Sequence, residues 1–358
     1  MNSGQGQERR PSAAQLGRVH EFSIPADAED WNYLVSHTPS LKDLTIHNIP
    51  ADRVASASEA SNAQYMMLRS YSPRVSAIDT FLVYECGNYG FTSEYLEEAH
   101  AVLADSTEWS RYLQLIDTGD SIDGILATSD RWPGAFSTTS RLHEQTMAVQ
   151  GIHDRNTMQG TAAQARVGSA TGRPMPQRIP EFPDVEDEAT PNAAAIILLQ
   201  TVSHFADSNL EWVLNRVQFV CEFQSSKFTA LKDGALRPKR TLDIFAIVEV
   251  KKRMRTVNRE AILTQETCEV VRWLMHSSGE MAHFNHHFML ISQDRHELFI
   301  TFVPFSQAYE NYLRNGTRTT DFLVMNTFGP FRTAYRDDME DFGRIILATM
   351  LIAKRAAS

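Results

Sequence analysis

The segment Leu242–Val250 is apolar at every position except Asp243 and Glu249, and it ends in three cations, Lys251, Lys252 and Arg253. A run of this kind without polar alternation does not suit a strand with one wet face. It predicts a central strand covered on both sides. A chain that contains such a strand must supply helices or further sheet to both faces, which points to an α/β or α+β architecture with a mixed central sheet flanked by helices.

The flanking pattern provides candidates. A helix is expected from Thr190 to Phe205, with Thr190 as N-cap and Pro191 at the first helical position. Val217–Phe223 and Lys227–Leu231 read as strands, with Asp233-Gly234 as a turn. Glu260–His276 reads as an amphipathic helix carrying Ile262, Val270 and Trp273 inward. Phe288–Ile291 and Glu297–Val303 read as two more strands, and Asp337–Lys354 as a closing helix. In the first half, Ile78–Tyr84 reads as a strand, Ser93–Leu103 and Thr107–Ile116 as helices, and Trp132-Pro133-Gly134 as a turn.

Residues 1–20 are polar and read as a disordered tail, residues 21–150 form a less regular region without a catalytic pattern, and residues 151–180 read as a linker broken by prolines. The whole chain has 358 residues and is 42% hydrophobic, enough to bury a core. No apolar stretch reaches the roughly twenty residues of a membrane span. The N-terminus lacks a signal-peptide core, and Cys86, Cys221 and Cys268 lie too far apart for a disulfide framework or a cysteine-based zinc site. The expected setting is intracellular, cytoplasmic or nuclear.

The net charge of −10 is the wrong sign for a nucleic-acid binder. Its distribution is uneven. Between Lys232 and Arg255 stand eight basic residues against three acids, a local excess of five positive charges. Lys239, Arg240, Lys252 and Arg253, with Arg237, are therefore the candidate phosphate contacts, or else a solvated charged surface.

Glu249 and Lys251 are two apart on a strand, so both project from one face. Charges at the end of an apolar strand are costly to bury unless they are paired or hold a metal. The sequence from Ile244 to Lys252 resembles the third core strand of the PD-(D/E)XK nuclease superfamily. A helix preceded by acids (Asp184, Glu186, Asp187, Glu188) leads into it, and a helix with Glu260-Ala261, Gln265 and Trp273 follows, as in a fungal branch of that superfamily. The resemblance covers about Glu181 to Ala353, within an expected nuclease-like domain at residues 181–358. It implies a restriction-endonuclease-like core running helix, three strands, helix, strand. It also implies Glu249 as metal ligand, Lys251 beside the attacking water, Gln265 directed at the site, and Mg²⁺ or Mn²⁺ as cofactor. DNA or RNA is the implied partner. A catalytically inactive descendant, binding nucleic acid or protein, is the alternative.

The second metal-binding acid is open. Asp243 and Glu222 rank together and Asp233 third, with Glu188 as an outer acid. Asp243 would lie ~20 Å from Glu249 along a straight strand. Glu222 would reach Glu249 if a hairpin turned near residue 235. Asp233 has a family-like spacing of sixteen residues but also reads as part of a plain turn. His283, His286 and His287 lack the spacing of a zinc site and read as turn residues, and Asp341-Phe342-Gly343 is a chance match to a kinase triplet.

Overall fold

The computed structural model describes residues 22–148, 188–214, 218–224, 226–241, 243–277 and 282–357. The expected tail at 1–20, the linker at 151–180 and the acids Asp184, Glu186 and Asp187 lie outside the described residues.

In chain order the helices are α1 (Ala28–His37), α2 (Asn62–Met67), α3 (Ser93–Ala104), α4 (Thr107–Thr118), α5 (Ser137–Ala148), α6 (Ala189–Ser203), α7 (Arg259–His276), α8 (Gln307–Asn315) and α9 (Arg336–Ala356). The strands are β1 (Ser70–Tyr71), β2 (Leu210–Val213), β3 (Gln218–Glu222), β4 (Lys227–Leu231), β5 (Gly234–Pro238), β6 (Ala246–Lys251), β7 (His287–Asp294), β8 (Glu297–Pro304), β9 (Leu323–Val324) and β10 (Asn326–Arg332). Six of them form a mixed sheet in the order β10-β8-β7-β6-β5-β2. Only β6 and β7 pair in parallel there, from Ala246↔Met289 to Lys251↔Asp294. A parallel pair needs a crossover, and α7 is that crossover.

β6 is central and buried on both faces, as its apolar run requires. Its alternation divides the molecule. Ala246, Val248 and Val250 face a core built with α6, α9 and the aromatic group Phe81, Tyr89, Phe91 and Phe302. Ile247 faces a second core with Leu263, Val270 and Trp273 of α7. Glu249 and Lys251 continue on the face of Ile247, so the periodicity that buries the isoleucine also delivers the two charges beneath α7.

The N-terminal region is not a separate body. Trp31, Ile46, Ile49, Tyr65, Met66 and Leu68 belong to the α7-side core, and the hydroxyls of Tyr309 and Tyr312 on α8 donate to the carbonyls of Leu68 and Met67, each at 2.5 Å. Three local readings are corrected. Ile78–Tyr84 is helical, not a strand: three- and four-residue spacing sends Ile78, Phe81 and Leu82 into the aromatic core and leaves Val83 and Tyr84 exposed. The α6 cap position falls on Glu188, so Thr190 lies inside the helix. The stretch read as one strand from Leu242 begins only at Ala246.

Candidate functional site

β5 and β6 are antiparallel, with Gly234 opposite Val248. This register sets Asp233, the residue just before β5, beside the end of β6. The Asp233 amide donates to the Val248 carbonyl at 3.2 Å, and its Oδ2 accepts from the Val250 amide at 2.9 Å. The next residue must be glycine. A Cβ at position 234 would stand 2.4 Å from Ile196 Cδ1 of α6 and 2.9 Å from the Val213 carbonyl. Glycine at 234 thus lets α6 and β2 close in on this strand, while the two hydrogen bonds to β6 hold Asp233 in place.

Glu249 is 2% exposed. Its Oε1 accepts from Lys251 Nζ and, at 2.6 Å, from Gln265 Nε2 on α7. Its Oε2 is buried without a hydrogen-bond partner. One helical turn beyond Gln265 stands Glu269, 1% exposed, with both carboxylate oxygens lacking a hydrogen-bond partner. Glu249, Lys251, Gln265, Glu269, Asp233 and Glu188 line one cavity of about 200 Å³, together with Thr229 of β4 and the turn Ser56–Ser58 from the N-terminal region.

Charge within this cavity is lopsided. Four acids line it against the single Lys251. Burial raises the Glu249 carboxyl well above the ordinary range; Lys251 opposes this, while Glu269 and Asp233 add to it. Burial also pushes Glu269 up to about 7, against the pull of Arg272 and Lys232. Burial alone would lower the Lys251 ammonium, but Glu249, Glu188 and Asp233 together raise it above the ordinary lysine value. Behind the cavity Lys232 is buried with its Nζ 5.2 Å from the Trp273 ring, and burial lowers it to about 7.

The other expected site residues lie elsewhere. Asp243 is exposed, bonded to Thr241 Oγ1 at 2.9 Å, at the opposite end of β6 from Glu249. Glu222 is exposed on a separate two-stranded hairpin, opposite Lys227, because β3 turns back onto β4 rather than entering the large sheet. Neither approaches Glu249, so the acid brought to Glu249 is Asp233. Lys239 and Arg240 are exposed beside Asp243 and line a different cavity of about 810 Å³ with His283 and Lys354. Lys252 and Arg253 follow directly after β6, at the Glu249 end.

Sequence reading overlooked Glu269 and the Ser56–Ser58 turn. For Glu269 a signal existed: it is four residues after Gln265 in the same helix. For the turn there was none, since its position depends on the packing of α2 and the preceding segment against α7.

Among the described residues, no three His, Cys, Asp or Glu side chains already converge as a metal-ligand set. The residues nonetheless fit a hard divalent cation in one respect. Mg²⁺ takes one or two carboxylates and keeps several waters, and this cavity offers Glu249 with an unpartnered oxygen and Asp233 beside it. At roughly 30 Å³ per water, about 200 Å³ has room for an ion with its water shell. No family profile, curated protein or solved structure matches the chain.

Proposed function

We propose that this protein is a metal-dependent nuclease of the PD-(D/E)XK type, hydrolysing phosphodiester bonds in DNA or RNA. One observation carries the reading: Asp233 just before β5, Glu249 and Lys251 on β6 and Gln265 on the following helix line a single cavity whose acids outnumber its cations. The element order is in keeping with it. Helix α6, strands β2, β5 and β6, helix α7 and strand β7 follow the helix, three strands, helix, strand of that superfamily, with the β3–β4 hairpin as an insertion.

Asp233 and Glu249 would hold Mg²⁺ or Mn²⁺. The cation, when bound, supplies a Lewis acid for a phosphoryl oxygen and lowers the pKa of a water. Gln265 fixes the rotamer of Glu249 by donating to Oε1, and the backbone amide of Val250 fixes Asp233. Lys251 keeps its proton at Nζ and is placed to donate to the attacking water or to a phosphate oxygen. The acids require the cation for another reason: a phosphodiester is repelled by four carboxylates and one lysine until positive charge is added.

The test uses the full chain with end-labelled single- and double-stranded DNA and RNA, in Mg²⁺, Mn²⁺ or chelator. Cleavage by wild type that disappears with chelator and with Glu249→Gln supports the reading. If none of the four substrates is cut with either metal, the nuclease reading fails. A non-catalytic binding module then stands. One observation favours that second reading: Lys239 and Arg240 line a cavity roughly 20 Å along β5 from Asp233, too far to touch the phosphate held at Glu249.

A further inference from the structure

Of the four acids that line the cavity, Glu269 alone is not among the candidates named from the sequence. It is also the least satisfied. Glu249 receives two hydrogen bonds on Oε1 and Asp233 receives one from the backbone, whereas no hydrogen bond reaches either oxygen of Glu269. It is nevertheless 1% exposed. A buried carboxylate without donors costs several kcal/mol, and an apolar residue of similar size would remove that cost. Lys232 and Arg272 lie near enough to act on it through charge, but neither donates to its oxygens. A structural ion pair would have closed that contact, as Arg255 does with Asp294 at 2.7 Å.

Position adds to this. Glu269 lies one turn of α7 after Gln265, so the residue that holds Glu249 and the residue with bare oxygens share a face. Both line the cavity with Asp233 and Glu249. With Glu188 the wall carries four acids to one lysine, and a divalent cation is the ligand class that offsets such an excess. We propose that Glu269 is a third carboxylate of this cavity, drawn onto the divalent cation together with Asp233 and Glu249, which without the ion do not converge as a ligand set. This rests on the cation-site reading given above and adds to it a ligand from α7.

Mn²⁺ binding to the full chain, measured by isothermal titration calorimetry, tests it independently of catalysis. Wild type is compared with Glu249→Gln, Glu269→Gln and Glu269→Asp, and each is melted without metal by circular dichroism. Glu269→Gln keeps the volume and removes the charge; it is expected to weaken Mn²⁺ at least tenfold. Glu269→Asp, which keeps the charge but withdraws it by one methylene, should fall between that variant and wild type. A purely structural Glu269 would move the metal-free melting temperature and leave the affinity alone. Wild-type affinity in Glu269→Gln, alongside a loss in Glu249→Gln, overturns this assignment and spares the site. No Mn²⁺ binding by wild type overturns both. If Glu269→Gln does not fold, Glu269→Asp decides: weakened binding supports the assignment and unchanged binding overturns it.

Discussion

Two groups of buried ionic side chains stand side by side at the ends of β6 and β7, where Lys251 and Asp294 are register partners. Both draw on α7, through the consecutive residues Gln265 and Glu266. In the first, Arg255 bonds Asp294 through Nε at 2.7 Å, Glu266 and, at 3.2 Å, the Ser292 hydroxyl, and its guanidinium lies 4.2 Å from the Phe299 ring. Each charged group there makes at least one charge-assisted hydrogen bond, and none lines the cavity. In the second, Lys251 and Gln265 both serve one oxygen of Glu249, Glu269 is served by nothing, and the group opens on the cavity. The same helix and sheet thus carry one cluster in which every charged group has a partner, although Asp294 Oδ1, Glu266 Oε2 and Arg255 Nη1 have none, and a second that opens on the cavity and holds Glu269 with neither oxygen bonded. The difference lies in Glu269: stability alone would favour an apolar residue over a buried carboxylate with no donor on either oxygen.

Substitutions on the two sides should separate function from stability. The largest effect is expected for Glu249→Gln, which should cut metal-dependent cleavage at least 1000-fold, about 4 kcal/mol in the barrier, in a gel assay, while the melting temperature stays close to wild type. Comparable loss of stability and activity would erase the distinction. Next, Arg255→Met leaves Asp294 and Glu266 as buried acids without their cation and should cost about 3–5 kcal/mol in urea unfolding, with Mn²⁺ affinity retained wherever the chain is folded. Gln265→Ala removes the hydrogen bond that orients Glu249 and should lower metal affinity or cleavage by about 10–100-fold, a smaller loss than removing Glu249 itself. Smallest of all, Asp243→Asn and Glu222→Gln touch exposed acids outside the cavity. Each should change stability by less than about 0.5 kcal/mol and leave cleavage within twofold, and a large loss from either would move the site.

The contrast also explains what could be read in advance. β6 was legible because burial on both faces leaves an apolar run, and the common face of Glu249 and Lys251 follows from a two-residue repeat. Gln265 was singled out by the resemblance alone, since its position in the helix reads equally as an exposed glutamine. Asp233 ranked below Asp243 and Glu222 because Asp233-Gly234 also reads as a plain turn, and its place beside Glu249 depends on a register between strands, Gly234 against Val248, that no local pattern encodes. The Glu222 reading assumed a pairing with the large sheet, whereas a nearer partner, β4, takes β3 into its own hairpin. Ile78–Tyr84 has strand-forming residues, yet tertiary packing around Phe81 and Phe302 selects helical turns. The packing of residues 22–68 against α7 is long-range and left no local mark.

The central claim is that the acids around Glu249 form a divalent-cation site. Melting the full chain with and without Mn²⁺ tests this most directly. A ligand present at about 100 times its Kd stabilises a folded protein by about 2.7 kcal/mol, so wild type should melt higher with the metal, and Asp233→Asn and Glu249→Gln should lose that gain. A wild type indifferent to Mn²⁺, or variants raised as much as wild type, would contradict the account.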